Sequence, residues 1–371
     1  MKIKCNNNYF LQKYQKKINF LIKFISLIFS INCLFFYHKT LNKNKRIGVV
    51  SLYHSQNVGN FLVKFSIFTK LKELGFDPII ISTTNKDKVD TDFLKRNIKF
   101  ILINNSFSEL NQKDYDFLVV NSDQTWNTIQ NKYLLDYGFL KFAENWAIPK
   151  FVYAASLAVD YWRFDKNFDN KAKRLLKNFT GISVREIGAV EMVEKHLGIR
   201  PIYVLDPTFI IDKKYYLDLI KDFKRDFNFK DKYLFVYQLD NNVVIKDFIK
   251  EASKKLNYKI FKLKLYKKNF IENFLFGLNV SEAVITDSFH GTVFSIIFNK
   301  PFVSYINSFR GRLRFYSLKE TFGLHDRIIF PKNNIKPDIN LLTTPLKINQ
   351  NLLDSLRNFS INYLKKNLNI K

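Results

Sequence analysis

Short apolar runs alternate with helical patterns along the chain from Arg46 onward. This alternation is typical of parallel sheets wrapped by helices, because strands buried on both faces read as continuous apolar runs. In the first half, amphipathic helices are predicted at 60–74 and 186–197, the second ended by Gly198. Strands are predicted at residues 47–52, 78–82, 100–103, 117–121, 151–155, 181–184 and 202–205. The first half therefore predicts a Rossmann-like layer sandwich.

A stretch rich in lysine and aspartate at residues 212–232 interrupts the alternation, and we place a domain boundary there. The pattern then resumes with strands predicted at residues 233–238, 259–263, 283–286 and 302–306. Helices are predicted at residues 243–256, 269–278, 292–298, 312–322 and 351–367. The expected organisation is a first domain at 47–212, a second at 213–345 and a C-terminal helix within 346–371.

Residues 18–37 form a mostly apolar run of nearly the length that crosses a bilayer, although Lys23 and Asn32 interrupt it. Basic residues flank both ends, so the charge asymmetry that would orient a spanning helix is weak. An interfacial anchor is favoured over a single span or a helix packed on the body. No small-x-small cleavage site follows, which disfavours a signal peptide. We expect residues 1–46 to hold the protein at the cytoplasmic face of a membrane, as a peripheral or single-pass protein.

The formal net charge of +27 suits an anionic partner. A chain-wide bias toward Lys, Asn, Ile and Phe, which raises the lysine content without selecting for a partner, explains the charge equally well. Residues 1–46 hold nine lysines and one arginine without an acidic residue. The remaining body has no arginine-rich arm, zinc-finger spacing or aromatic RNA-binding signature, so we expect no nucleic acid partner. Both cysteines, Cys5 and Cys33, precede the body, which excludes a cysteine nucleophile or a Cys-based zinc site there.

The strongest chemical signal lies at residues 284–295, where an apolar strand runs through a short polar turn into an apolar helix. Such a junction binds anions, because free backbone N–H groups and the helix dipole point at the ligand. Ser288 and Thr292 add hydroxyl groups, and His290 can transfer protons near neutral pH. The alternative is that Asp287 and Ser288 cap the helix while His290 fills a polar niche.

A second signal lies at residues 119–127, where a strand runs into a cluster of hydrogen-bonding side chains. Asp123 and its neighbouring amides beside Trp126 suit a sugar, which offers hydroxyl groups on its rim and weakly polar C–H faces. Ordinary turn chemistry explains the same residues.

Taken in order, six short blocks resemble the polysaccharide pyruvyl transferase family. Six blocks in the right order are far more specific than any one of them. They are Asn57-Val58-Gly59, the Ser-Asp-Gln-x-Trp-like block at 121–127, Tyr153-Ala154-Ala155-Ser156, Ser183-Val184-Arg185-Glu186, Leu205-Asp206-Pro207-Thr208 and the histidine-bearing block at 287–291.

The resemblance implies an α/β fold of two Rossmann-like domains in a GT-B-like arrangement, preceded by the N-terminal hydrophobic basic helix. The implied reaction transfers a pyruvyl group from phosphoenolpyruvate to a sugar of a cell-surface glycan and forms a ketal, with no cofactor and no metal. A GT-B-like glycosyltransferase using a nucleotide sugar and an inactive membrane-associated scaffold of glycan assembly are the alternatives. The partners expected are the donor, a glycan or lipid-linked sugar acceptor and a membrane surface.

The resemblance also implies roles for individual residues. His290 and Asp287 are the expected catalytic residues, and Ser288 and Thr292 would cradle the donor phosphate. Some pyruvyl transferases carry an arginine at the position of Ser288, so the donor's cations must come from elsewhere. Arg185 and Arg312 are the expected pair, with Arg310 and Arg314 as alternatives. The residues expected to bind the acceptor or otherwise contact substrate are Asn57, Asp123, Trp126 and Ser156.

Overall fold

The computed structural model describes residues 45–51, 57–83, 92–103, 107–127, 135–224, 227, 230–264, 268–307, 310–331 and 336–370. The predicted membrane-associating run at 18–37 lies outside these residues. Within the ranges just given, no helix combines the length and the apolar character needed to cross a membrane.

The first half is built on a parallel sheet of five strands in the order β3-β2-β1-β4-β5. These strands are β1 Arg46–Val50, β2 Asp77–Thr83, β3 Phe100–Ile103, β4 Phe117–Val120 and β5 Lys150–Val152. Two short parallel strands, β6 Ser183–Val184 and β7 Ile202–Tyr203, extend the layer beyond β5 through isolated bridges. The helices of this half are α1 Val58–Glu73, α2 Asp92–Asn97, α3 Leu135–Gly138, α4 Lys166–Leu176 and α5 Ile187–Leu197.

The second half repeats the plan with a parallel sheet in the order β12-β11-β10-β8-β9. Its strands are β8 Tyr233–Tyr237, β9 Lys259–Lys262, β10 Ala283–Thr286, β11 Phe302–Tyr305 and β12 Ile328–Ile329. The helices that follow the first half are α6 Lys213–Asp218, α7 Val243–Leu256, α8 Phe270–Val280, α9 Phe289–Ile297, α10 Arg312–Phe322 and α11 Gln350–Asn367. The predicted α/β class with two Rossmann-like domains is confirmed.

Helix α1 lies between the two halves and contacts α8 and α9 of the second half. All residues of this helix from Val58 to Phe68 are buried, whichever side of the helix they lie on, which is typical of a helix inside the protein. Phe61, for example, packs edge-on against both Phe93 of the first half and Phe270 of the second. One hydrophobic core therefore runs from the first sheet through α1 into the second half.

The C-terminal helix α11 crosses back to the first half. The Tyr363 hydroxyl donates to the Val152 carbonyl oxygen at 2.7 Å, and the Leu205 amide donates to Ser360 Oγ at 2.9 Å. Asn367 closes the contact by accepting from Thr180 Oγ1 at 2.9 Å. These bonds tie the end of the described chain to the sheet edge that carries β5, β6 and β7.

In each sheet the chain first adds strands on one side and then returns to add strands on the other. The reversal falls between β1 and β4 in the first sheet and between β8 and β10 in the second. Open α/β sheets bind ligands at such points, because the flanking loops diverge at the carboxyl ends of the two strands and leave a crevice. Both strongest sequence signals, at 119–127 and 284–295, follow strands next to these reversals.

Candidate active site

Arg185 is the centre of a buried charged cluster just after β6. Its side chain is 1 % exposed, and Nη1 donates to Asp206 Oδ2 at 2.6 Å and to Ser122 Oγ at 3.3 Å. Nη2 lies 3.4 Å from Asp123 Oδ1, and Nε lies 3.5 Å from Glu186 Oε1. Burial opposes the charge, but the three carboxylates outweigh it and raise the pKa of Arg185. The arginine is therefore a permanent cation already matched by protein anions.

Asp123 and Asp206 are held ionised by this cluster. Burial alone would raise the pKa of each carboxyl, but Arg185 and His290 outweigh it, so that of Asp123 falls to about 2 and that of Asp206 is lowered too. Asp206 also accepts from the Thr208 amide at 3.0 Å and its hydroxyl at 2.7 Å. Asp123 has φ 81°, a left-handed conformation that is strained for a non-glycine residue. Strain of this kind is often found at functional sites.

His290 projects from the first turn of α9 toward the first half of the molecule. Its side chain is 5 % exposed, and Nε2 lies 3.7 Å from Asp206 Oδ2, beyond hydrogen-bond distance. Among the described residues, this buried Nε2 has no hydrogen-bond partner. A ring nitrogen left in this state next to a carboxylate is a suitable group for proton transfer to a ligand.

A second buried arginine, Arg314 of α10, lies beside the first. The guanidinium carbons of Arg185 and Arg314 are 5.0 and 4.9 Å from the centre of the Phe289 ring. Arg314 donates to the carbonyl oxygens of Arg310 and Gly311. It forms no ion pair within the described part of the chain. Burial and repulsion from Arg185 lower its pKa to about 10, so it remains a cation at neutral pH.

A polar chain inside α1 leads to the same cluster. Lys64 Nζ donates to Asn60 Oδ1 one turn away, and Asn60 Nδ2 donates to Asp123 Oδ2 at 2.9 Å. Lys64 is fully buried, and burial lowers its pKa to about 7 despite the opposing charge of Asp123. Asn60 and Lys64 were not expected as site residues. The available signal was a polar pair at i and i+4 in a helix that is otherwise apolar.

The structure places Arg312 and Trp126 away from the expected roles. Arg312 is 43 % exposed in its side chain and pairs with Asp160 at 2.7 Å rather than with the cluster. Trp126 is 1 % exposed, donates from Nε1 to the Gly138 carbonyl oxygen at 2.9 Å and stacks on Phe139 with ring centres 4.9 Å apart. The indole therefore belongs to the core of the first half, and its ring offers no open face to a sugar.

The remaining predicted residues mostly hold the turns around the cluster. Ser288 Oγ caps α9 by accepting from the Gly291 amide at 3.3 Å, and Asn57 Oδ1 caps α1 by accepting from the Gly59 amide at 2.9 Å. Ser156 Oγ donates to Glu186, and Thr292 Oγ1 lies 2.6 Å from Ser304 Oγ.

Asp287 binds backbone groups of the loop after β8. Its carboxylate accepts from the amides of Leu239 at 2.6 Å and Asp240 at 3.1 Å. Burial raises its pKa. The capping alternative therefore describes the contacts of Ser288, while Asp287 fixes a neighbouring loop. In the described ranges, no group of three or more His, Cys, Asp and Glu side chains is arranged to hold a metal ion.

Comparison with known proteins assigns the chain to a family. The model of the family described as polysaccharide pyruvyl transferase matches residues 57–308, more than half of the chain. The chain belongs to this family. The match contains all six blocks of the sequence resemblance, including Arg185, Asp206 and His290, and membership makes the protein a transferase. No curated protein matches the chain.

Solved structures place this pyruvyl transferase family member in the GT-B-like fold. Arabidopsis thaliana UGT89C1 complexed with UDP-L-rhamnose is 11 % identical, covers 88 % of this chain and 98 % of its own, and has a TM-score of 0.50. UDP-GlcNAc 2-epimerase from Neisseria meningitidis bound to UDP-GlcNAc is 10 % identical, with coverage of 88 % and 94 % and a TM-score of 0.47. The likeness to UGT89C1 shows a shared fold and, at this identity, nothing about the ligand.

Proposed function

We propose that this transferase moves a pyruvyl group from phosphoenolpyruvate to a sugar of a cell-surface glycan and forms a pyruvate ketal. The observation that carries the proposal is Arg314, a buried cation without a carboxylate partner among the described residues, next to the unpartnered Nε2 of His290. Phosphoenolpyruvate carries a carboxylate and a phosphate, and both bind guanidinium groups through short charge-assisted hydrogen bonds. The charge of Arg185 is already matched by Asp123, Asp206 and Glu186, so Arg314 supplies the charge available to the donor.

The chemistry of ketal formation suits the groups around Arg314. A proton added to the donor methylene carbon makes C2 electrophilic, and a sugar hydroxyl attacks C2 while giving up its own proton. Phosphate then leaves, a second hydroxyl of the same sugar closes the ring, and its proton departs with the phosphate. His290 transfers the proton between the hydroxyl and the methylene carbon, and Asp206 beside it stabilises the imidazolium. Both hydroxyl protons and the leaving phosphate are thus accounted for without a cofactor.

Donor access requires movement between the two halves. His290 and Arg314 are both buried, and the start of α1 covers the histidine. Phosphoenolpyruvate therefore enters when the halves separate, and closure removes water from the reacting atoms, which strengthens their electrostatic interactions. We further propose that residues 18–37 keep the enzyme at the cytoplasmic face of the membrane, close to a lipid-linked acceptor.

The test is binding of phosphoenolpyruvate to the full chain by calorimetry. Arg314→Ala should weaken binding by about tenfold or more, because a charge-assisted hydrogen bond contributes about 1.5–3 kcal/mol. Arg314→Lys should recover only part of the affinity, since an ammonium cannot reproduce the guanidinium fork. Arg312→Ala is the matched control: it removes an arginine from the same helix, but one that is exposed and paired with Asp160. Its affinity should stay within twofold of wild type.

A glycosyltransferase that uses a nucleotide sugar is the second candidate, favoured by the fold shared with UGT89C1, whose structure holds UDP-L-rhamnose. The same calorimetry separates the candidates. Binding of UDP or a UDP-sugar without binding of phosphoenolpyruvate would establish the glycosyltransferase and reject the pyruvyl donor. Binding of neither would point to an inactive scaffold of glycan assembly.

A further inference from the structure

A cavity of about 580 Å³ opens at the carboxyl edge of the second sheet. It lies at the reversal between β8 and β10, where a crevice is expected. The loops after β8, β10, β11 and β12 line it. The β10–α9 turn contributes Asp287 to the cavity wall and, three residues later, presents His290 to the first half. The cavity and the proposed transfer centre therefore share one turn.

Tyr305, at the end of β11, is a buried residue that lines this cavity. Its hydroxyl group has no hydrogen-bond partner in the described part of the chain. A buried hydroxyl without a partner destabilises the folded protein unless a ligand or water satisfies it, and such groups are rare in native structures. Tyr305 thus points to a ligand that offers a hydrogen-bonding group inside the cavity.

The charges around the cavity favour an uncharged ligand. Asp240 is held by Arg310, whose Nη2 and Nε donate at 2.8 and 3.0 Å, and by the Asn307 amide. Asp287 is held by the two backbone amides already described. The guanidinium of Arg310 is engaged by Asp240, so the cavity lining offers no cation comparable to Arg314 for a phosphate or diphosphate group.

A sugar ring fits this lining better than an anion does. Each carboxylate offers about four lone-pair sites, so Asp240 and Asp287 keep capacity to accept from sugar hydroxyls after their protein bonds are counted. The Asn241 and Asn242 amides line the same space and can donate or accept. Ile245 and Ile306 supply apolar surface for the C–H faces of the ring.

We propose that this cavity is a sugar subsite that holds one ring of the acceptor glycan next to the transfer centre. The inference rests on the proposed function only for the identity of the acceptor, because the cavity lining itself selects a neutral polyhydroxyl ligand. A ring held there places the next sugar beside the β10–α9 turn, where His290 lies. The subsite therefore positions the glycan and does not take part in the chemistry.

The test is saturation-transfer NMR on the full chain with methyl glycosides of galactose, mannose and N-acetylglucosamine at about 10 mM, since single rings bind in the millimolar range. The full chain includes the predicted membrane-associating run at residues 18–37, so the experiment is done in a detergent. Lauryldimethylamine oxide is chosen, because glycoside detergents would occupy a sugar site. At least one glycoside should bind. Tyr305→Phe should weaken that binding about fivefold or more, with an unchanged or raised melting temperature, because the hydroxyl it removes has no protein partner.

Two further variants keep the test decisive. Asn241→Trp adds bulk at an exposed residue of the cavity rim and should abolish glycoside binding without a folding defect. Tyr233→Phe is the matched control, because it removes a tyrosine hydroxyl at the opposite edge of the same sheet, where Asp231 is the partner. It should bind glycosides as wild type does.

The outcomes separate the subsite from the proposed function. Glycoside binding that depends on Tyr305, without binding of phosphoenolpyruvate, would support the subsite and reject the donor. Phosphoenolpyruvate binding without any glycoside signal, or glycoside binding equal in Tyr305→Phe and Asn241→Trp, would overturn the subsite and leave the donor intact. UDP binding that is lost in these two variants would also overturn it, because the cavity would then hold a nucleotide.

Discussion

The His290 ring lies directly against the backbone of Gly59, so that a Cβ atom placed on Gly59 would be 1.8 Å from His290 Nδ1. Gly59 belongs to the first turn of α1 in the first half, and His290 to the first turn of α9 in the second. The two sequence blocks that carry these residues therefore meet where the two halves face each other. Only glycine fits at position 59, because any side chain there would collide with the His290 ring.

Gly59→Ala should displace the imidazole and lower the transfer rate about 100-fold or more, because misplacement of a catalytic group by about 1 Å has an effect of this size. Steady-state kinetics of ketal formation would measure it. Gly198→Ala is the control, since its Cβ meets no atom within 4 Å but its φ of +67° is unfavourable for alanine. It should cost about 1–2 kcal/mol of stability, because a left-handed conformation is unfavourable for an L-residue, and leave the rate unchanged. Normal activity of Gly59→Ala would mean that the halves are apart during catalysis.

His290→Gln should lower the transfer rate by about two to four orders of magnitude, because it removes proton transfer but keeps a polar side chain of similar size. Its melting temperature should stay near that of wild type, since Nε2 has no hydrogen-bond partner among the described residues. His325→Ala, at an exposed position, should retain full activity. A rate within tenfold of wild type in His290→Gln would remove the residue from its role.

Arg185→Ala should destabilise the protein by about 3 kcal/mol or more, because it leaves Asp206, Asp123 and Glu186 buried without their cation. Denaturant unfolding would measure the loss. Arg200→Ala breaks an exposed pair with Glu194 and should cost less than about 1 kcal/mol. Equal stability of the two variants would show that Arg185 is not the structural cation of the cluster. A loss of the expected size would instead leave Arg314, and not Arg185, as the guanidinium group that contacts phosphoenolpyruvate.

Lys64→Met should stabilise the protein at pH 7 by about 1–3 kcal/mol, because it replaces a desolvated amine by an apolar chain of similar length. Burial lowers the pKa of Lys64 to about 7, below the value near 10.4 expected when unfolded. Between these values the unfolded chain binds more protons, so this group makes wild-type stability rise with pH. The advantage of Lys64→Met should therefore shrink from pH 7 to pH 10. An advantage independent of pH would show that the lysine titrates normally.

Deletion of residues 1–44 should leave the thermal transition unchanged, because β1 of the first sheet begins at Arg46. The full chain should float with anionic liposomes, and high salt should release it if the segment lies in the headgroup region, since salt screens charge attraction. Flotation that resists salt and carbonate would indicate a spanning helix. An aggregating truncated protein would show that the segment packs on the body.

Local patterns in the sequence determined the elements of this fold. Strands buried on both faces, such as β4 and β10, are nearly continuous apolar runs in the sequence. A polar turn follows each of these two strands directly along the chain. The α/β class, the positions of most strands along the chain and the identity of the histidine-bearing turn were therefore predictable, whereas the order of the strands within each sheet was not predicted. Strand β12 and the short helices α2, α3 and α6 were not predicted, because segments this short carry little periodic signal. Helix α4 was also missed, although its buried residues Ala172, Leu175 and Leu176 follow helical spacing.

Only the tertiary structure decided which charged residues form the cluster. Arg312 and Arg314 are two positions apart in α10, and a helix turns about 100° per residue, so they project in nearly opposite directions. Which one is buried beside Phe289 depends on how α10 packs against the rest of the molecule, and neighbouring residues in the sequence do not reveal it. Trp126 is buried for the same kind of reason, because Phe139 covers its ring. The surroundings of Arg312, Arg314 and Trp126 are set by contacts with residues distant in the sequence. Their roles therefore depend on tertiary packing and not on the local sequence pattern.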